Sequence, residues 1–126
     1  MPTLTVETNV NLEELRRTFT KEVSLWLRAR DVNVNHVITK FINVDAHSVY
    51  SGPFPFSYRD DGQAASFAFV RIEISHRRSH QFLKSFSFVC RQILSNYIEQ
   101  ESIMVSFLPV NPENYFSPAE LADVAG

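Results

Sequence analysis

Residues 3–44 read TLTVETNVNLEELRRTFTKEVSLWLRARDVNVNHVITKFINV, and this stretch decides the fold. Between Thr3 and Thr8, Leu4 and Val6 alternate with polar neighbours, as in a half-buried strand. Asn11 has Glu14 three residues on, so a capping box is expected to open a helix there. Leu12, Leu15, Phe19, Val23, Trp26 and Leu27 follow at steps of mostly three and four, one apolar stripe of an amphipathic helix running to about Arg30. Arg16, Arg17, Lys21 and Arg28 flank the stripe and read as its solvated side. A second strand is expected from His36 to Val44. By alternation Ile38, Lys40, Ile42 and Val44 share one face, and Val37, Thr39, Phe41 and Asn43 the other. Apolar residues on both faces predict a strand covered on both sides.

Working outward, residues 46–65 break the pattern. Gly52, Pro53, Pro55, Asp60, Asp61 and Gly62 punctuate them, and Tyr50, Phe54, Phe56 and Tyr58 interleave. The segment is long for an internal connection, so a covering loop with a short hairpin is expected. Residues 66–74, SFAFVRIEI, read as the third strand. Ser79 then caps a second helix expected from His80 to Glu99, with Phe82, Phe86, Val89, Ile93 and Tyr97 in one row and Leu83, Cys90, Leu94 and Ile98 beside it. Residues 103–108, IMVSFL, form the fourth strand, and 109–126 a tail. The expectation is an α/β (α+β) fold in a single domain, 1–126. Two strand-helix-strand units would form a four-stranded mixed sheet with both helices on one face. The other face would carry apolar residues and invite self-association.

Composition narrows the functional classes. A chain of 126 residues, 44% hydrophobic with eleven Phe, supports one packed core. A net charge of −2 provides no global basic field for nucleic acid or an anionic membrane. Cys90 is the only cysteine, so no intrachain disulfide framework exists. The amino-terminal residues lack a basic segment followed by an apolar one, and no apolar run approaches the ~20 residues of a membrane span. A cytoplasmic protein is expected.

Three features bear on chemistry. Pro2 follows Met1, and methionine is commonly removed before small residues, proline included. Removal leaves a secondary amine, and an α-amine titrates near ~7.7–8.0 before nearby cations and burial lower it. Such a base suits proton abstraction beside a carbonyl. The strand beginning at Thr3 is expected to hold this amine rigidly at a sheet edge. Retained Met1 would instead make the Pro2 nitrogen a tertiary amide without basicity, and Pro2 would be an ordinary second residue.

Arg77 and Arg78, in SHRRSH, lie between the third strand and the cap of the second helix. A helix amino terminus favours anions, and a guanidinium there adds a two-bond grip on carboxylate. Two solvated loop arginines fit the same residues. Lys40 interrupts an otherwise apolar strand face, either snorkelling at an edge or aimed at an anion. His76 and His80 have a metal-like spacing, but they straddle a turn and no HExxH accompanies them, so no metal site is expected. GxSxG and a phosphate-binding glycine loop are absent.

Met-Pro opening a strand, two strand-helix-strand units and an arginine after the third strand together resemble the tautomerase superfamily. Within it, the sequence is most similar to the 5-carboxymethyl-2-hydroxymuconate isomerase family. Phe69-Val70 to Ile74 match its third strand, Arg78-Ser79 its arginine-serine step, and Val44-Asp45 the pair ending its second strand. The resemblance implies a homotrimer with pockets between subunits, Pro2 as proton shuttle and cations holding substrate carboxylates. Arg78 matches the family's arginine after the third strand. Lys40 stands where the isomerase has an arginine, a departure that loses the bidentate grip. The 46–65 loop, longer and more aromatic than in the family, is expected to reshape the pocket mouth.

The expected activity is a cofactor-free keto–enol tautomerase or isomerase acting on a small unsaturated 2-hydroxy or 2-oxo (di)carboxylic acid. Pro2 is the general base, Arg78 and Arg77 bind a carboxylate, and Lys40 holds the far end. Two alternatives stand beside it: a hydratase-dehalogenase or decarboxylase on the same scaffold, and a non-catalytic binding protein that keeps Met1.

Overall fold

The computed structural model describes residues 2–56 and 65–116. Met1, the loop residues 57–64 with Tyr58, Asp60, Asp61 and Gly62, and the tail residues 117–126 lie outside them. The first unit is β1 (Thr3–Thr8), α1 (Glu13–Arg28) and β2 (Ile38–Asn43). A two-stranded hairpin, β3 (Tyr50–Ser51) and β4 (Phe54–Pro55), follows, with Gly52 at φ 57° in its turn. The second unit is β5 (Ala68–Ser75), α2 (His80–Leu94) and β6 (Ile103–Val110).

The four long strands form one mixed sheet in the order β2-β1-β5-β6. β1 and β2 run parallel, as do β5 and β6, while β1 and β5 are antiparallel. Each helix therefore carries the chain back to the start of a parallel neighbour, as the sequence predicts. β1 lies inside the sheet, between β2 and β5, and not at the edge expected from the sequence. A strand whose crossover partner joins on one side still offers its other side, and β5 takes it.

Register sorts the side chains into two faces. Leu4 and Val6 stand beside Ile72 and Val70, and Val105 and Phe107 continue these rows on β6. The helices cover this face with Leu15, Phe19, Val23 and Leu27 from α1 and Phe86, Cys90, Ile93 and Leu94 from α2, all buried. Burial pushes the Cys90 thiol far above its ordinary pKa, because the thiolate would lie in an apolar interior.

The opposite face has no helix. Three rows cross it: Ile38, Thr3, Glu73 and Leu108; Lys40, Thr5, Arg71 and Ser106; Ile42, Glu7, Phe69 and Met104. Ile38, Lys40 and Ile42 are exposed, so within one chain β2 is covered on one face only. Nor is this face apolar throughout. Its apolar side chains lie mainly on the outer strands, and the inner strands carry charge.

Element ends differ from the sequence reading in definable ways. α1 opens at Leu12 with no side-chain cap, and the Asn11 carboxamide oxygen instead accepts from Arg16 at 2.7 Å. α2 closes at Leu94, five residues before the expected Glu99, in turns that bury Ile98. β2 ends at Asn43, so Val44-Asp45 lies just beyond it. There the Val44 N–H still donates to the Thr8 carbonyl at 2.9 Å, and Asp45 caps a short 3-10 turn.

Candidate active site

Pro2 extends β1 by one residue, and its carbonyl accepts from the Ile38 N–H at 3.2 Å. Continuing the register sets Pro2 between Val37 and Ile74 in the row of residues facing the helices. Its ring is fully buried. An amine mounted there would be held by strands on both sides, and burial disfavours its charged form.

The SHRRSH turn closes the same end of the sheet, because β5 runs antiparallel to β1 and finishes at Ser75. His76 N–H donates to the Val110 carbonyl at 2.9 Å and ties the turn to β6. Arg77 N–H donates to Ser75 Oγ at 3.2 Å, and Arg78 N–H to the Ser75 carbonyl at 3.1 Å. Ser79 caps α2 as expected, its hydroxyl accepting from the Phe82 N–H at 3.1 Å. Arg77 is exposed. Arg78 is half-buried, its guanidinium carbon 4.8 Å from the centre of the Phe82 ring. Among the described residues no carboxylate pairs with either arginine.

Pro2, Arg77 and Arg78 are thus brought to one end of the sheet. Lys40 is not brought to them. It stands beside Thr5, three positions along β1 from Pro2, about 10 Å at the usual rise per strand residue, and on the helix-free face. The described part of the long loop also lies elsewhere. Phe56 packs on Phe67 and Phe69 at 5.7 and 5.6 Å, at the start of β5 and away from Pro2's end. Within one chain this described part of the loop does not border Pro2.

Two residues escaped the sequence reading. Arg71 faces Thr5 from β5, in the same row as Lys40, and the signal was a cation inside an apolar strand, as at Lys40. Phe82 lies under Arg78, and its signal was an aromatic four residues after an arginine, across the helix cap.

Open concavities on the outer helix surfaces do not include these residues. One of about 500 Å³ is lined by Glu13, Glu14, Arg17, Thr18 and Lys21. Another, of about 410 Å³, has Trp26, Arg30, Lys84 and Phe88 among its walls. Among the described residues no group of three His, Cys, Asp or Glu is placed to hold a metal ion, and no helix is long and apolar enough to cross a membrane.

No protein-family model matches the sequence. No curated protein matches it either. Solved structures do match the fold. One titled as an F6 fused 4-OT wild type asymmetric trimer aligns with a TM-score of 0.75 at 12% identity, covering 98% of each chain. FG41 malonate semialdehyde decarboxylase inhibited by 3-bromopropiolate aligns at 0.70 and 9% identity, over 98% of this chain and 96% of that one. Macrophage migration inhibitory factor of Toxoplasma gondii aligns at 0.65 and 11% identity, over 92% and 96%. These neighbours are members of the tautomerase superfamily, and at such identities the likeness is one of fold. It does not single out 5-carboxymethyl-2-hydroxymuconate isomerase among them. The two strand-helix-strand units on one mixed sheet are the tautomerase fold.

Proposed function

We propose that the protein, once Met1 is removed, is a cofactor-free tautomerase acting on a small unsaturated 2-hydroxy or 2-oxo acid. The observation that carries this reading is that Pro2 and the Arg77-Arg78 turn lie at the same end of the sheet. Neutral Pro2 takes the enol proton as the C–O bond becomes a carbonyl. It then delivers that proton to carbon at the far end of the shifting double bond. Arg78, with Arg77 beside it, binds the carboxylate and offsets charge on the developing enolate oxygen.

Lys40 joins this site only across a subunit boundary, because within one chain it stands on the other face from Pro2. A homotrimer supplies that boundary, and three of the fold neighbours, all fused 4-OT proteins, are named as trimers. The helix-free face suits such a ring. Ile38 and Ile42 line one outer strand and Met104 and Leu108 the other, all exposed. Joining outer strand to outer strand buries them, while Glu7, Arg71 and Glu73 on the inner strands stay near water. A flat two-fold sandwich would bury those charges, at a cost of several kcal/mol each unless they are paired.

The test compares protein with a free Pro2 and protein keeping Met1, on 2-hydroxymuconate and phenylenolpyruvate. Turnover only with the free amine supports the reading, and equal rates sink it. The likeness to malonate semialdehyde decarboxylase favours a second reading on the same scaffold, a decarboxylase or hydratase-dehalogenase using protonated Pro2 as acid. The two readings differ in sign with pH. A base needs neutral Pro2, so its rate rises through the amine's pKa, whereas an acid's rate falls.

A further inference from the structure

The two arginines of the SHRRSH turn differ in how they are held. Arg77 has no ring beneath it and no ion pair among the described residues. The Arg78 guanidinium carbon lies over the Phe82 ring, and Phe82 is itself wedged. It lies 5.4 Å from the Trp26 ring and 6.0 Å from the Phe86 ring, and Phe86 is fully buried. Trp26 is backed by Phe86 at 5.2 Å and covered by the Arg30 guanidinium at 3.9 Å. Phe82 is also the residue whose N–H the Ser79 cap holds. The backbone cap and the aromatic cluster therefore fix one ring, and that ring carries Arg78.

Stacking differs chemically from a salt bridge. A carboxylate partner would occupy the in-plane N–H donors of a guanidinium. A ring occupies only its face, leaving the donor edge open to a ligand. Among the described residues no acceptor takes the Arg78 side-chain donors, so Arg78 is held in place with them unspent there, whereas Arg77 must be ordered by the ligand itself at an entropic cost.

We propose that Phe82 is a positioning residue for Arg78, and that Arg78, not Arg77, supplies the ordered two-bond grip on a substrate carboxylate. The proposal rests on the tautomerase reading for the identity of the ligand as a carboxylate. Its test uses Met1-free protein, with fumarate as a non-reacting dicarboxylate probe in calorimetry and phenylenolpyruvate as substrate. Phe82→Leu should raise the fumarate Kd by about two- to fivefold, the range expected for one cation–ring contact, and lower kcat/KM on phenylenolpyruvate by at least as much, because the arginine it positions also faces the developing enolate charge. Phe82→Tyr should restore both. In an Arg78→Ala background, Phe82→Leu should add nothing. A fluorinated phenylalanine placed at 82 keeps the shape while draining the ring face of negative charge, and it should reproduce the Leu effect even if Phe82→Leu fails to fold.

An unchanged Kd with the fluorinated ring, or a Phe82→Leu penalty that persists without Arg78, overturns the proposal. So does the lack of any fumarate binding. Ring-dependent fumarate binding without turnover leaves the proposal standing and removes the tautomerase reading. Turnover that ignores residue 82 does the reverse.

Discussion

Asp31 takes a left-handed backbone, φ 63°, where α1 gives way to the following loop. The Val32 N–H reaches back to the Leu27 carbonyl at 3.1 Å and the Asp31 N–H to that of Arg28 at 3.1 Å. This is a helix-ending motif that normally carries glycine. An aspartate there bears the left-handed strain and sets a negative charge at the negative end of the helix dipole. Asp31→Gly should therefore stabilise the fold by about 1 kcal/mol, read as a rise in the denaturation midpoint. At this scale the sequence was legible where chemistry is local. Ser79 before His80 announced a cap, and the cap is there. It was not legible at Asn11, where the side chain bonds Arg16 on the helix surface and leaves the first-turn N–H groups uncapped by any side chain. Local propensity offers both bonds, and only packing chooses.

At the scale of elements, the far end of β1 is fastened by side chains acting as backbone. The Asn9 amide donates to the Ala65 carbonyl at 2.9 Å, and its oxygen accepts from the Phe67 N–H at 2.9 Å. The buried Thr8 hydroxyl donates to the Phe67 carbonyl at 2.6 Å and accepts from the Val10 N–H at 3.1 Å. Thr8→Val keeps the shape but orphans two polar groups, so it should cost about 1–3 kcal/mol in chemical denaturation. Ser79→Ala should cost about 1 kcal/mol and also loosen Phe82. Strands and helices were readable because their periods are local. The antiparallel pairing of β1 with β5, which sets β1 inside the sheet and the arginine turn at Pro2's end, joins residues sixty to seventy positions apart and leaves no periodic mark. That Pro2 and the arginine turn share one end of the sheet was therefore inferable only through resemblance.

At the scale of the whole molecule, the helix-free face separates two kinds of substitution. Leu108→Lys places a charge on an outer strand and, if the proposed ring forms, should dissociate it to monomers in light scattering. Glu73→Gln, on an inner strand in the same row, should leave assembly intact. The opposite pattern would point to a sandwich joined through the face's centre. Sequence alternation marked Ile38 and Ile42 as one face, but it did not reveal that Arg71, Glu7 and Glu73 share that face. Only the register across three strands does so.

Cys90 gives this architecture a clock. It is the only thiol, it is fully buried beneath α2, and burial suppresses its thiolate. A disulfide reagent added to native protein can react only during moments when the interior opens, so the labelling rate reports the frequency of such openings. If a subunit must leave its neighbours before its helices lift, labelling should slow as protein concentration rises. A rate indifferent to concentration would mean that each subunit breathes on its own.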